Sequence, residues 1–359
     1  MSYYQKYRPE KIADLDLGAA RDAFLRMMKA GSISHAFLLV GPRGSGKTSS
    51  ARILARVVNC EINQGSGIRD QGSNGYADPC GKCEACVSIK NGSAVDVIEI
   101  DAASNRGIDD IRSVREKARL APVSLKQKVY IIDEVHQLTG DSFNALLKIL
   151  EEPPKHVMFI LCTTESDKVP ATIQSRCVVI DFSKANEEEL VRCLLRATAG
   201  EGLEVEEGAL SVLSKAVDGS FREAHKILEQ IAMGSRKVTK EMIEKVVGSV
   251  SFGIVERILN LVRSGDVEEV IREIKQIEES GGNVEKLVSD LLRTLRSQME
   301  ERIKNGRRMS VVERKLMKKL MVIMPKVKSS PIAILPLELV LIQSSGNRGQ
   351  RTGGGKNQL

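Results

Sequence analysis

The eight residues Gly41-Pro42-Arg43-Gly44-Ser45-Gly46-Lys47-Thr48 constrain this chain more than any other segment. They fit G-x-x-x-x-G-K-[ST] in full, and their flanks fit too. An apolar run, Ala36–Val40, precedes them and a helical pattern, Thr48–Val58, follows. Strand, glycine-rich loop and helix in that order gather backbone N–H groups at a helix N-terminus, where an anion is favoured. In such a loop Lys47 reaches the β- and γ-phosphates of a nucleotide and Thr48 Oγ binds Mg²⁺. Gly41, Pro42, Arg43, Gly44, Ser45, Gly46 and Ser49 complete the expected cradle. An ordinary Gly-rich turn is the bland alternative, and the strand–loop–helix context weighs against it.

The pattern around the loop extends to a whole domain. Short, near-continuous apolar runs at Ala36–Val40, Val95–Ile100, Lys128–Ile132, Val157–Leu161 and Cys177–Asp181 read as strands buried on both faces of a parallel sheet. Helical segments such as Ser142–Leu150 lie between them, so residues 1–182 are expected to form a doubly wound α/β domain. After Phe182 no strand pattern returns. Glu187–Thr198, Glu207–Ala216 and Ser220–Met233 predict a small helical domain over 183–247. Longer helices follow over 248–343. There Val284, Leu287, Val288, Leu291, Leu292, Leu295 and Met299 form a one-sided apolar stripe, which must bury against helices of this chain or of a neighbour. The Gly-, Arg- and Gln-rich tail, 344–359, is expected to be disordered, and Gly65–Gly75 to be a flexible loop.

A second motif answers the first. Lys128-Val129-Tyr130-Ile131-Ile132-Asp133-Glu134 is an apolar strand that ends in two carboxylates. Strand ends beside the phosphate loop are where a doubly wound sheet places its ligand. Asp133 is expected to bind Mg²⁺, directly or through water. Glu134 is expected to polarise an attacking water as general base, which favours hydrolysis over transfer to a second substrate. Alone, two acids after a strand would be a solvated turn.

Composition narrows the remaining choices. Aromatics are scarce and Trp is absent, which disfavours base stacking on aromatic platforms. The net charge of +7 is a mild bias compatible with a polyanionic partner. No stretch approaches the ~20 apolar residues of a membrane span. Met1–Glu10 is polar and lacks an apolar signal region, so the expected location is the cytoplasm. Of seven cysteines, four cluster as Cys60-x₁₉-Cys80-x₂-Cys83-x₂-Cys86. In a reducing compartment that spacing favours a metal over disulfides. Four thiolates suit a closed, structural Zn²⁺ site; an iron–sulfur cluster is the runner-up, and free thiols are the bland alternative.

Further motifs carry a family resemblance. Asp133-Glu134-Val135-His136 is followed by Ser142-Phe143-Asn144-Ala145-Leu146-Leu147-Lys148 and Leu150-Glu151-Glu152-Pro153-Pro154. Then come Thr163-Thr164-Glu165, Ser175-Arg176-Cys177 and Gly219-Ser220-Phe221-Arg222-Glu223-Ala224. With Tyr7-Arg8-Pro9 and Glu99-Ile100-Asp101-Ala102-Ala103-Ser104, this order closely resembles the gamma/tau ATPase subunits of bacterial DNA polymerase III clamp loaders, within the AAA+ class. The likeness covers about residues 3–235; beyond that it rests on helical character.

The resemblance implies a P-loop AAA+ domain with an inserted zinc module at about 60–86, a helical lid and a helical oligomerisation collar. It implies that Thr164 is a sensor of the γ-phosphate and Arg222 a second sensor in the lid. Arg176 would be an arginine finger acting in trans on a neighbour's ATP. Tyr7, Arg8 and Pro9 would pack near the adenine. Implied partners are delta- and delta-prime-like subunits, further copies of the chain in a pentameric ring, a sliding clamp and primed DNA. Arg106, Arg112, Arg115 and Lys117 are DNA-backbone candidates, weighed equally against a solvated helix face. Lys315, Lys318, Lys319, Lys326 and Lys328, on the basic C-terminal helices, are open both to such contact and to a role in solubility alone. Two departures stand out: Asp16-Leu17-Gly18 replaces the family's usual Gly-Gln pair, and Phe221–His225 is a loose version of its second-sensor helix. A non-catalytic scaffold subunit and a branch-migration helicase are the competing readings. Intact Lys47, Thr48, Asp133 and Glu134 oppose the first; the cysteines and Ser175-Arg176-Cys177 oppose the second. The resemblance leaves a short gamma-like form and a clipped tau-like form equally open.

Overall fold

A computed structural model of the chain describes residues 2–31, 33–64, 75–247, 252–279, 284–304, 306, 308, 310–332 and 334–345. Contacts divide it into two compact units, Met1–Thr239 and Lys240–Leu359. The expected loop at Gly65–Gly75 lies outside the described residues except for Gly75, and the expected tail does so except for Ser344 and Ser345.

The sheet of the first unit contains β1 (Ala36–Val40), β2 (Val97–Asp101), β3 (Lys128–Asp133), β4 (Val157–Thr163) and β5 (Val178–Asp181). Their order is β2-β3-β4-β1-β5 and every neighbouring pair is parallel. Parallel neighbours require crossovers, and helices supply them. Helices α1 (Tyr3–Lys6) and α2 (Gly18–Lys29) precede β1. Helices α3 (Lys47–Asn59), α4 (Glu61–Gln64) and α5 (Glu84–Asn91) lie between β1 and β2. Helix α6 (Ile108–Arg119) joins β2 to β3, α7 (Gly140–Glu151) joins β3 to β4, and α8 (Ala171–Gln174) precedes β5.

Alternate strand residues feed two cores. Phe37, Leu39, Val129, Ile131, Ile160 and Cys162 join the α2 and α3 side chains, whereas Ala36, Leu38, Tyr130, Ile132, Phe159 and Leu161 join those of α6 and α7. This coverage explains the continuous apolar runs: every residue of β4 is buried. β2 starts at Val97, two residues later than the run suggests. Asp96 turns its carboxylate inward to accept N–H bonds of 2.7–3.0 Å from Val123, Ser124 and Leu125, and Val95 is left exposed.

After β5 come α9 (Glu187–Glu201), α10 (Ala209–Ala216) and α11 (Phe221–Gly234). Asn186 and Glu189 form a capping box that starts α9, and Gly202 in the left-handed region ends it. The expectation that no strand follows Phe182 needs correction. β6 (Glu204–Val205) and β7 (Lys237–Val238) form a short parallel ladder, too short for an alternating pattern to register.

The second unit contains α12 (Lys240–Val247), α13 (Phe252–Ser264), α14 (Val267–Glu279), α15 (Val284–Lys304), α16 (Val311–Ser329) and α17 (Leu335–Ser345). In the α15 stripe, Leu287, Val288, Leu291 and Leu295 are fully buried, with Val284 and Leu292 partly so. They share a core with Ile258, Ile274, Leu320 and Leu341, so the stripe is satisfied within this chain. Among the described residues no helix is long and apolar enough to cross a membrane.

Candidate functional site

The glycine-rich loop leaves β1 at its C-terminal end, where the strand order reverses between β4 and β5; this is the crevice in which open α/β sheets hold ligands. Gly44 and Gly46 hold φ of +77° and +102°, backbone that side chains rarely tolerate. Gly41 packs so tightly on Phe182 that a Cβ would collide with its carbonyl. Lys47 is buried, and its Nζ donates to the carbonyls of Gly41 and Pro42 at 2.7 and 2.9 Å. Burial holds its ammonium below the usual lysine range, with Cys162, Asp133 and Glu134 opposing that shift.

The two motifs meet across the sheet. Thr48 Oγ1 donates to Asp133 Oδ2 at 2.8 Å, so a hydroxyl and a carboxylate suited to a hard cation adjoin one another. Glu134 follows at φ +49°, a left-handed conformation costing on the order of 1–3 kcal/mol for such a residue. Its Oε1 accepts from Arg43 Nε at 3.2 Å and its Oε2 from Thr164 Oγ1 at 3.2 Å. The first threonine of the pair, Thr163, instead faces inward from β4 and is buried.

A cavity of about 570 Å³ opens beside the loop. Tyr7, Arg8, Pro9, Gly44–Ser49, Asp133 and Arg222 line it together. Arg222 lies over the Tyr4 ring at 4.9 Å. The N-terminus of α11 is set against the loop: Phe221 N–H donates to Gly44 O at 3.1 Å, and a Cβ on Gly44 would strike Ser220 Oγ. Tyr7 donates its hydroxyl to Glu201 at 2.8 Å and lies parallel to His225, with ring centroids 6.4 Å apart.

Other wall residues escaped the sequence reading. Asp16 is buried and takes both terminal nitrogens of Arg196, with Nη1 at 2.7 Å, tying the segment before α2 to α9. The departure at Asp16-Leu17-Gly18 was its only signal. Tyr4 carried no signal beyond residue type, and His225 only its place in the loose second-sensor helix, because their roles depend on distant chain segments.

Arg176 stands apart from the cavity. Its Nη2 pairs with Glu151 Oε1 at 2.7 Å and its Nη1 donates to Thr172 O at 2.8 Å. Of the backbone-contact candidates, Arg106 donates to Ala103 O at 2.8 Å and Arg112 pairs with Asp109 at 3.1 Å; Lys117 is exposed and Arg115 half-buried.

Cys60, at the C-terminal end of α3, joins Cys80, Cys83 and Cys86, with all four Sγ atoms within 4.8 Å of one another. Thiolates around a tetrahedral zinc at about 2.3 Å stand about 3.8 Å apart, and the Cys80–Cys86 sulfur separation of 4.0 Å is close to that. Backbone N–H groups also aim at sulfur: Cys80 N–H at Cys60, and Lys82 and Cys83 N–H at Cys80, at 3.3–3.4 Å. Burial pushes the Cys80 thiol up, but the Lys82 and Cys83 N–H groups together with the Cys83 and Cys60 thiols prevail and bring it down to about 6. Burial pushes the Cys60 and Cys86 thiols up. The donor set therefore fits a closed four-thiolate metal centre.

Sheet order, loop and acidic strand end define a P-loop nucleotide-binding domain of the AAA+ type. A family model described as DNA polymerase III, delta subunit, matches residues 18–186. The chain is 39% identical over 300 residues to the DNA polymerase III subunit tau of Bacillus subtilis, covering 81% of this chain and 51% of that one. It is 35% identical over 301 residues to the DNA polymerase III subunit gamma of Buchnera aphidicola, covering 82% of this chain and 78% of that one. Among solved structures, the Thermotoga maritima RuvB Holliday junction branch migration motor matches with a TM-score of 0.48 at 16% identity, covering 71% of this chain and 79% of that one. The chain belongs to the DNA polymerase III gamma/tau subunit family. It spans about half the length of the Bacillus tau subunit.

Proposed function

We propose that this chain is an ATP-hydrolysing motor subunit of a clamp loader, coupling ATP binding and hydrolysis to opening a sliding clamp and closing it on primed DNA. One observation carries the reading: Thr48 and Asp133 pair at 2.8 Å beside Lys47, with Glu134 and Thr164 adjoining, in a chain of this family. The loop N–H groups and Lys47 hold the β- and γ-phosphates, while Tyr7, Arg8 and Pro9 pack near the adenine. Thr48 and Asp133 would hold Mg²⁺, which neutralises charge developing on the phosphoryl oxygens. Glu134 takes a proton from the attacking water, and Thr164 orients that carboxylate and reads the γ-phosphate. Arg222 reports nucleotide state to a helical lid at 183–247.

Arg176 reaches the ATP of a neighbouring subunit, so that hydrolysis depends on assembly. Cys60, Cys80, Cys83 and Cys86 would hold a structural Zn²⁺, which cross-links the module and leaves no open position for water. Residues 248–343 serve as the collar of a pentameric ring with delta- and delta-prime-like subunits. The compartment is the cytoplasm, and the face of α6 tracks the DNA backbone without reading sequence. ATP-dependent capture of a clamp ring tests the reading. The wild-type chain assembled with its partner subunits should capture the ring with a non-hydrolysable ATP analogue, and Lys47→Ala should not, because it loses a charge that touches ground-state phosphates. Capture that is indifferent to nucleotide would refute the proposal.

A further inference from the structure

One buried imidazole beside the acidic strand end has no part in the scheme above. His136 follows β3 in a single 3₁₀ turn, Val135–Gln137, and its side chain is 2% exposed. Its Nδ1 lies 3.0 Å from Thr163 Oγ1 and 3.5 Å from Glu134 Oε2. Its Nε2 lies 2.9 Å from Gln137 Nε2 and 3.2 Å from Glu165 Oε1.

Both ring nitrogens have partners whichever carries the proton. With the proton on Nδ1, the ring donates to Thr163 Oγ1 and Nε2 accepts from the Gln137 amide; with the proton on Nε2, the ring donates to Glu165 Oε1 and Nδ1 accepts from the Thr163 hydroxyl. In either form Nδ1 also faces Glu134 Oε2. One ring thereby ties the end of β3 to the turn Thr163–Glu165 at the end of β4. Thr164, between the two bonded residues of that turn, is the side chain that donates to Glu134 Oε2. Other charged groups at this point are paired outward: Lys168 with Glu165 at 2.8 Å, and Arg43 with Glu134 Oε1.

We infer that His136 is a positioning residue for the general base: it clamps the β3 and β4 ends so that the Glu134 carboxylate and the Thr164 hydroxyl stay in register. This rests on the reading of Glu134 as that base. A buried ring held at both nitrogens has little freedom, whereas Glu134 sits in a left-handed backbone conformation and needs external support to keep one orientation. The role is positional, because the ring is 2% exposed and both its nitrogens are taken up by neighbouring side chains.

Single-turnover ATP hydrolysis with this chain in excess, alongside equilibrium binding of a non-hydrolysable ATP analogue, tests this. His136→Leu removes both ring nitrogens at similar volume. It should lower the hydrolysis rate about a hundredfold, the scale of a 1 Å misplacement, with analogue affinity within about twofold. His136→Asn places an amide, which can donate or accept, where Nδ1 was and should recover most of the rate, as a merely space-filling role would not. In a Glu134→Gln background, His136→Leu should cost nothing further, since a residue that acts through Glu134 has nothing left to position. A normal rate in His136→Leu, an equal loss in both backgrounds, or no recovery with Asn would overturn the inference. If wild type and Glu134→Gln hydrolyse alike, the reading of Glu134 itself fails. If they differ and His136→Leu behaves as wild type, only the His136 inference fails.

Discussion

Glu134 in the first unit and Glu313 in the second are both carboxylates drawn out of solvent, and they are treated in opposite ways. Glu313, on the first turn of α16, is saturated. Arg263 reaches it at 2.7 Å, Arg302 closes on its other oxygen, and Ser310 donates to it from both backbone and hydroxyl. Its side chain is 4% exposed and helices α13, α15 and α16 are bound together through it. Glu134 is 20% exposed, sits on a left-handed backbone, and holds a single exposed arginine and one hydroxyl, each at 3.2 Å, with His136 Nδ1 at 3.5 Å. The carboxylate that ties helices together is fully paired; the one proposed to act on water has longer and fewer contacts. The arginines follow suit: Arg263 and Arg302 are committed to Glu313, whereas Arg176 holds only the partly exposed Glu151 and local oxygens.

The largest expected effect is at Arg176. Arginine fingers are worth about 10³–10⁵ in rate in GTPases, and Arg176→Ala should erase most of the acceleration expected on assembly with clamp and primed DNA. ATP affinity of the single chain should be nearly unchanged. Mixing Arg176→Ala chains with Lys47→Ala chains gives the direction of action. Activity should appear only where an intact Arg176 faces an intact Lys47; activity that tracks chains carrying both residues would place the arginine in its own site.

Glu134→Gln comes next. Turnover should fall by about 10²–10⁴, the usual contribution of a general base, with ATP still bound. Near-normal turnover in the assembled complex would place Glu134 with Glu313 as a structural acid.

Glu313→Ala should do the reverse: lower the stability of the second unit by about 1–3 kcal/mol, because the charge-assisted hydrogen bonds of two partly exposed arginines and of Ser310 are lost, and leave single-turnover ATP hydrolysis unchanged. Thermal unfolding followed by circular dichroism reads this. The same pair gives the protein an acid limit. Burial pushes the Glu313 carboxyl up, but Ser310, Arg302 and Arg263 prevail and hold it below 4.5. Its stabilisation is therefore complete above that pH and lost as pH falls below it, a loss that Glu313→Ala should not share.

The smallest change on the nucleotide site is expected from the cysteine cluster. Protein purified without added metal should carry about one equivalent of zinc by elemental analysis, as a closed four-thiolate site binds. Iron in its place, or a trace only, would refute this. Cys83→Ser should lower the unfolding midpoint more than it alters ATP affinity.

What the residues alone determined was local. The loop Gly41–Thr48 needs particular residue types at fixed spacing because backbone N–H groups and one helix start must converge, and short covalent connections ensure that they do. The strands of the sheet were legible because burial on both faces leaves little room for polar side chains, and the cysteines because ligand spacing is itself a short-range rule. Tertiary structure decided everything that depends on which strand end lies beside which. Placing β3 between β2 and β4 brings Asp133 to Thr48 and Thr164 to Glu134, and no spacing in the chain encodes those distances. Likewise only the packed helices show that the α15 stripe buries within its own chain, that Asp16 is held by Arg196, and that His136 faces two carboxylates. A side chain's type limits which partners it can take, but the partner comes from a distant segment brought close by the collapse of the core, and hydrophobic burial is blind to which polar groups it leaves facing each other.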